Sequence, residues 1–357
     1  MGEEDGMGGG VPLGLPDRAL VSKPFAMNGL FDTHNRRINY LRISITDRCN
    51  LRCRYCMPKE GVSRFGHAEI LSYEEILRVA ALAVKRGIDK IRITGGEPLV
   101  RRDVVSLVRR LSGLSGVHDL SMTTNALLLR EFSPDLRRAG LRRVNVSMDS
   151  LDPEKYRRIT RGGDLRKVWE GIDAARRAGI SPIKINVVAI AGFNDREIED
   201  FARLTLKEPF QVRFIEFMPI GAASEWKPEH CIPCQQMKGR IEKISPLVPL
   251  TEGGNGHGGP ARLFKLPRAA GEIGFISPVS EHFCQSCNRL RLTADGKVKS
   301  CLFSEELTDL KPLLRSGAGD EELGRKLDEA LLSKPAHHGP IDGVMKRCHH
   351  PMVKIGG

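Results

Sequence analysis

From Asn39 onward the chain alternates two hydrophobic rhythms. Short apolar, β-type runs occur at 40–46, 90–94, 119–123, 143–148, 183–190 and 211–217. Between most of them lie stretches with helical spacing. Ile76, Val79, Ala80, Ala83 and Val84 follow i, i+3, i+4, i+7, i+8, and Val168, Ile172 and Ala175 form a second such stripe. Gly87, Gly140 and Gly179 close helical stretches, the residue type favoured just past a helix C-terminus. Six strands alternating with helices predict a parallel β/α array. Right-handed crossovers curl such an array into a barrel or part of one. Two further units that would complete an eight-stranded barrel are not evident.

The pattern changes after Met218. Residues 219–260 are rich in Pro, Gly and polar residues, and Gly253 to Gly259 reads as a flexible loop. A cysteine-bearing segment at 272–303 follows, then a helical stretch and a tail ending in Gly356-Gly357. The expected organisation is a loosely ordered leader at 1–35, a barrel at 36–220 and a C-terminal region at 221–357. No run of eighteen apolar residues predicts a membrane helix. The acidic, glycine-rich start has the composition of no secretory signal.

Lys plus Arg number 56 against 44 Asp plus Glu, a formal charge of +12, which points to a polyanionic partner. Aromatic residues are only 5%, which argues against a surface that stacks single-stranded nucleic acid. Nine cysteines, an odd number, favour thiolates for metal or redox work over a disulfide framework.

Six of those cysteines fall into two triplets. Cys49, Cys53 and Cys56 directly follow the first strand, at the strand end where barrel active sites lie. Three thiolates hold three corners of a four-iron cluster and leave one iron open. Cys284, Cys287 and Cys301 form the second triplet, and Asp295-Gly296 predicts a hairpin that returns Cys301 toward the other two. A zinc site completed by His282 stays open as an alternative there. At the end of the second strand, Gly95-Gly96 suits close backbone approach to a ligand, and Glu97 offers a carboxylate to an ammonium group.

The first triplet, with Tyr55 before its last cysteine and Thr94-Gly95-Gly96-Glu97-Pro98 one strand later, resembles the signature of the radical S-adenosylmethionine superfamily. Further features are the second triplet, Ile43 to Asp47 leading into Arg48-Cys49, Arg289 and Arg291 beside Cys287, and the terminal Gly-Gly. With these, residues 28–357 resemble the superfamily's GTP 3′,8-cyclase family. The resemblance implies an incomplete (β/α)6 TIM-type barrel with a C-terminal region carrying a second iron–sulfur cluster. It implies two [4Fe–4S] clusters and S-adenosylmethionine as cofactors, with the six cysteines as iron ligands. The implied reaction opens molybdenum cofactor biosynthesis. A 5′-deoxyadenosyl radical takes the ribose 3′ hydrogen of GTP, and the sugar then closes on C8 to give (8S)-3′,8-cyclo-7,8-dihydroguanosine 5′-triphosphate.

Carried onto this chain, the family's S-adenosylmethionine contacts fall on Tyr55, Gly96, Ser147 and Met218. Its GTP contacts fall on Arg42, Arg92, Thr123, Lys184, Arg289 and Arg291, with Arg213 as an addition. Charged residues on parallel strands are costly unless they meet a partner, and a triphosphate supplies one. Gly356 and Gly357 correspond to a tail that enters the active site. The resemblance also implies an external electron donor, a functional link to cyclic pyranopterin monophosphate synthase and a cytoplasmic location. It admits a homodimer and implies neither nucleic acid nor membrane as a partner.

Two other readings compete: a radical enzyme that modifies a peptide, and a zinc-bearing nucleic-acid-binding protein. Several motifs read as incidental. Cys231-x2-Cys234 sits in a proline-rich connection rather than at a redox turn. Cys348, His337-His338, His349-His350, Arg101-Arg102 and Arg109-Arg110 read as solvated surface.

Overall fold

The six strands expected from the hydrophobic rhythm form, and they form one parallel array. In the structure, a computed structural model, residues 29–221, 225–250, 259–339 and 348–356 are described. The strands are β1 (Tyr40–Ser44), β2 (Lys90–Thr94), β3 (Asp119–Thr124), β4 (Arg143–Ser147), β5 (Ile183–Ala189) and β6 (Gln211–Glu216). Each pairs in parallel with the next. Helices α1 (Tyr73–Lys85), α2 (Val104–Ser112), α3 (Leu129–Arg138), α4 (Pro153–Thr160), α5 (Leu165–Arg177) and α6 (Ile198–Lys207) lie between them.

Local chemistry fixes the helix ends. Ser72 accepts from Glu75 N while the Glu75 carboxylate accepts from Ser72 N, a reciprocal cap that starts α1. Asp152 and Asp164 cap α4 and α5 by accepting from Lys155 N and Arg166 N. Beyond α1, α3 and α5 the chain turns through Gly87, Gly140 and Gly179 at φ +104°, +98° and +77°, where a Cβ would be strained.

The strands alternate in an informative way. Leu41, Ile43, Ile91, Ile93, Met122, Val144, Val146, Ile185 and Val187 are buried against the helices and form the core. The positions between them are polar or charged and face the barrel interior. A parallel array of this kind is covered on both faces, so these inward polar groups need partners.

The C-terminal half adds β7 (Val248–Pro249), β8 (Arg262–Lys265), β9 (Glu272–Ile276), β10 (Arg289–Leu292), β11 (Lys297–Lys299) and β12 (Thr308–Asp309). β9 pairs in parallel with β6, and β10 in parallel with β1. The two extra parallel strands that local pattern does not reveal are thus supplied one to each edge. The full sheet runs β12-β11-β10-β1-β2-β3-β4-β5-β6-β9-β8-β7. The expected hairpin at Asp295-Gly296 joins β10 to β11, with Gly296 at φ +88°. Helix α7 (Cys234–Glu242) packs near β6. Helices α8 (Lys311–Arg315) and α9 (Asp320–Leu332) follow, and Arg78 of α1 and Arg86 just beyond it pair with Asp320 and Asp328 of α9. A short α10 (Met352–Ile355) carries the tail.

Residues 29–35 are packed: Leu30 is buried, its carbonyl accepts from Ile38 N, and Phe31 bridges Arg37. Residues 1–28, most of the glycine-rich 253–259 segment, and Gly357 lie outside the described residues.

Candidate active site

The strands, the first loop and the C-terminal strands enclose a cavity of about 530 Å³. All six cysteines of the two triplets line it. The first triplet sits in the loop after β1, and this loop is held from both sides. Arg52 N and Arg54 N donate to the carbonyls of Thr160 and Ile159, while Arg161 Nη1 donates to the carbonyls of Arg52 and Met57. Leu51 N points at Cys49 Sγ at 3.4 Å, and Asn125 Nδ2 approaches it at 3.9 Å.

Burial pushes the Cys49 thiol up to about 11 and raises Cys53 and Cys56 further, with the neighbouring thiols and Asp149 adding to the effect. Three thiols raised in this way ionise beside concentrated positive charge, which an iron–sulfur cluster supplies. Among the described residues no three His, Cys, Asp or Glu side chains are placed to share a single metal ion. Each set supplies three thiols, the number that holds three corners of a four-iron cluster.

The second triplet is assembled by the β10–β11 hairpin and by two buried cations. Lys334 Nζ donates to the carbonyls of Arg289 and Ser300. Burial raises the Cys287 thiol, but Lys334 and Arg289 outweigh it and hold that thiol below its usual value. Cys284 lies above its own, through burial and the other two thiols. Arg36 donates to the carbonyls of Cys284, Pro335 and Ala336 and so ties residues 335–336 to the cysteine loop. His282, the candidate fourth zinc ligand, turns Nδ1 to the Pro278 carbonyl at 3.0 Å and meets His338 edge-on.

The residues expected to meet S-adenosylmethionine gather near the first triplet. Tyr55, Gly96, Ser147 and Met218 all line the cavity. Tyr55 donates through its hydroxyl to Asp149 Oδ2 at 2.6 Å, and Asp149 also accepts from Val188 N. Burial raises the Asp149 carboxyl to about 6 despite those two bonds. A Cβ on Gly96 would lie 2.3 Å from the Arg48 carbonyl oxygen, so only glycine permits this approach of the β2 end to the cysteine loop.

Glu97 differs from expectation. Its carboxylate accepts from Leu99 N, Asn125 N and Thr124 Oγ1, and it is buried at 1% exposure outside the cavity wall. It fastens the turn after β2 to the end of β3 instead of facing a ligand.

The expected GTP contacts also converge. Arg42, Arg92, Thr123, Lys184, Arg213, Arg289 and Arg291 all line the cavity. Strand parity explains this: Arg42 sits opposite Arg92 on one side and Arg291 on the other, and Thr123 opposite Asn145, which faces Lys184. Burial and mutual repulsion lower Arg42, Arg92 and Arg213 to about 9 and Arg291 to about 10, yet a guanidinium stays charged at neutral pH.

Three carboxylates in the cavity wall could offset these cations. Asp149 is engaged by Tyr55, and Glu216 by the backbone of Cys234, Val279 and Ser280, which leaves Asp119 to meet Arg143 and Lys90. The cavity is therefore built for a polyanion. Lys90, Arg143 and Tyr40 also line the cavity without being among the expected contacts; Lys90 and Tyr40 sit two residues from Arg92 and Arg42 on the same strands, a parity that points inward.

The tail reaches this wall. Arg291 Nη1 donates to the Gly356 carbonyl, and Met352 and Val353 line the cavity. Gly356 has φ +74°, and a Cβ there would meet Thr94 Cγ2 at 2.8 Å and Ser44 Cβ at 3.0 Å.

Three residues expected at the surface are not there. Cys348 is fully buried with Lys299 Nζ 3.3 Å from its sulfur, and Arg101 donates to the Leu71 carbonyl and covers the Tyr73 ring. His338 stacks on Phe303 in the cavity wall. Cys231 and Cys234 are pushed up to about 12 by burial, which fits no reactive thiolate.

Comparison with known proteins adds sequence relatives to this geometry. Residues 43–205 match the Radical SAM superfamily, and residues 210–340 match Molybdenum Cofactor Synthesis C. The GTP 3′,8-cyclase of Thermodesulfovibrio yellowstonii is 51% identical over 332 residues, 91% of this chain and 99% of that protein. Those of Pelotomaculum thermopropionicum and Alkaliphilus metalliredigens are 50% and 47% identical, with the same coverage of both chains. Among solved structures, SuiB of Streptococcus suis superposes with a TM-score of 0.57 at 14% identity, over 86% of this chain and 68% of that one. At that identity the likeness concerns the fold.

Proposed function

Since the chain belongs to the GTP 3′,8-cyclase family of the radical S-adenosylmethionine superfamily, we propose that its cavity converts GTP to (8S)-3′,8-cyclo-7,8-dihydroguanosine 5′-triphosphate. This is the first step of molybdenum cofactor biosynthesis. The observation that carries the reading is the joint opening of both three-thiol sets and of the inward cations onto one cavity. Two [4Fe–4S] clusters and S-adenosylmethionine are the cofactors. When bound, the first cluster supplies the electron that cleaves S-adenosylmethionine to the radical that takes the ribose 3′ hydrogen.

The chain's own residues divide the remaining work. Cys49, Cys53 and Cys56 hold the first cluster, and Cys284, Cys287 and Cys301 the second. Tyr55, Gly96, Ser147 and Met218 hold S-adenosylmethionine at the C-terminal ends of the strands. Arg42, Arg92, Lys184, Arg213, Arg289 and Arg291 take the triphosphate, with bidentate geometry available to each guanidinium. Thr123 faces the nucleotide from β3. Gly356, fixed by Arg291, and Gly357 complete the catalytic wall and help exclude water and stray hydrogen donors.

The reading includes an external electron donor and a following enzyme, cyclic pyranopterin monophosphate synthase, that consumes the product, and it admits a homodimer. Among the described residues no helix is long and apolar enough to cross a membrane; a cytoplasmic location belongs to the same reading, as does the division into a leader at 1–35, a barrel at 36–220 and a C-terminal region at 221–357.

The test is an anaerobic reaction of reconstituted protein with S-adenosylmethionine, dithionite and GTP, followed by mass spectrometry. The expected products are 5′-deoxyadenosine and an acid-labile isomer of GTP. Deoxyadenosine formed at the same rate without GTP, with GTP intact, would reject the substrate.

A pH effect follows from Lys184. Burial, then Arg213, Arg143, Arg92 and Lys90, push its amine down to about 5, so it is neutral in the empty cavity at pH 7. A bound triphosphate raises that value. The complex then holds more protons than the free protein at pH values above about 5, so binding takes up a proton and affinity falls as pH rises through that window. Calorimetry at pH 7 in buffers of different ionisation enthalpy should show uptake approaching one proton per GTP. Equal uptake by Lys184→Met would refute the assignment.

A further inference from the structure

The two thiol sets lie in opposite electrostatic surroundings. Asp149 stands near Cys53 and Cys56, and Glu97 near Cys49. Lys334 and Arg289 stand near Cys287, and Arg36 near Cys284. Arg36 pairs with Asp32, and Arg289 lines the cavity, where a triphosphate can meet it. Lys334 has neither outlet. It is 3% exposed, and no carboxylate pairs with it among the described residues. It sits behind the aromatic end of the cavity, where Phe283 and Phe303 flank the second set, rather than in the wall itself.

Its position is imposed from both sides. Helix α9 ends at Leu332, and Lys334 N donates to the Leu331 carbonyl. Just beyond, Arg36 holds the carbonyls of Pro335 and Ala336. The Lys334 ammonium donates to the Arg289 carbonyl at 2.9 Å and to the Ser300 carbonyl at 2.5 Å. Those carbonyls stand next to the two strands' ends that carry Cys287 and Cys301. Two N–H groups of the ammonium are thus engaged, and the third is left for the Cys287 sulfur.

A buried ammonium without an acid is costly unless a negative group lies within reach. Neutral thiols supply none, and phosphates in the cavity lie beyond the wall. Iron-bound thiolates do supply it. Three of them on a four-iron cluster leave a net negative charge, which grows when the cluster is reduced.

Resting on the functional reading above, which puts a cluster on Cys284, Cys287 and Cys301, we propose that Lys334 donates a hydrogen bond to the Cys287 sulfur and that its fixed charge raises the reduction potential of the second cluster. The electron comes from the external donor and adds negative charge beside the ammonium, which favours its arrival. Hydrogen bonds to cluster sulfurs and nearby charge are established levers on such potentials. Lys334 acts through Cys287 and is a positioning residue.

The test is a redox titration, followed by electron paramagnetic resonance, of anaerobically reconstituted full-length protein with dithionite. The first cluster is identified by the change of its signal on adding S-adenosylmethionine. Lys334→Met keeps the apolar stem and removes the charge. Its second cluster should be roughly 10-fold or more harder to reduce, a fall of about 59 mV per tenfold, with the first cluster unmoved. Lys334→Gln keeps a donor for the two carbonyls without the charge. It should show the same fall and carries the comparison if the Met variant loses iron. In wild-type protein grown on isotope-labelled lysine, the reduced second cluster should show a coupling to lysine nitrogen, a readout that needs no variant.

An unmoved potential in a variant that keeps about eight irons would overturn the proposal. So would an equal fall at both clusters, which means general loosening, or the absence of a lysine nitrogen coupling. A wild-type protein that holds only about four irons would instead overturn the second cluster of the functional reading.

Discussion

Cys53→Ser should abolish 5′-deoxyadenosine formation, a fall of roughly 10⁴-fold or more, whereas Cys287→Ser should leave S-adenosylmethionine cleavage measurable while GTP goes unconverted. The split follows from where the two thiol sets sit. Cys53 is half-buried in the loop beside Tyr55 and Asp149, among the residues proposed to hold the cofactor. Cys287 lies across the cavity, between Lys334 and Arg289 at the aromatic end. Serine is a poor iron ligand, so each variant should lose about four irons per chain and keep the other cluster. Iron and sulfide analysis, deoxyadenosine by chromatography and residual GTP measure all three consequences. If Cys53→Ser still formed deoxyadenosine, the first triplet would not be the reductive site.

Gly96→Ala should lower the rate of deoxyadenosine formation about 100-fold, the scale on which a misplacement near 1 Å acts. The added Cβ would lie 2.3 Å from the Arg48 carbonyl oxygen, 2.7 Å from its carbon and 2.8 Å from Val353 Cγ2. Two of those atoms are backbone immediately before Cys49, and Glu97 N donates to the same carbonyl at 2.8 Å. The clash is relieved only by moving the cysteine loop or the tail. Overpacking of this kind costs about 1–3 kcal/mol, which a domain of this size tolerates, so the fold should survive while the site does not. Gly239→Ala on α7, where no atom lies within 4 Å of the new Cβ, is the control. Wild-type cofactor cleavage by Gly96→Ala would mean that the β2 turn does not set the position of the loop.

The parts of this molecule readable from sequence are those governed by neighbours along the chain. The helix stripes, the terminal glycines and the six strands depend on periods of 3.6 and 2, and each occurs where the pattern puts it. The site was largely legible for the same reason. Arg42, Arg92 and Lys184 occupy the strand parity opposite to the buried aliphatics, which alone sends them inward.

What escaped depends on contacts distant in sequence. β9 and β10 are short, and nothing within five or four residues announces a parallel partner at β6 or β1. His338 and Cys348 sit in polar, basic stretches that read as surface, but His338 stacks on Phe303 in the cavity wall and Cys348 is buried against Lys299. Glu97 offers a carboxylate that the sequence alone leaves free for a ligand. Three donors from β3 and its own turn engage it.

β1 gains its second neighbour, β10, only late in the chain, and this bears on how the protein is made. Tyr40 through Ile43 pair with β10 at Arg289 through Leu292. During synthesis the first thiol loop and its barrel strands leave the ribosome long before that partner exists. The nascent barrel thus carries a bare β edge, the kind of surface that recruits foreign strands. The inward arginines of β1 and β2 stay without Arg289 and Arg291 for the same interval, and the tail is the last piece to arrive. A chain truncated before β10 is expected to aggregate rather than persist as a cofactor-cleaving half-enzyme, and a nucleotide encountering unfinished chains finds no site to fill.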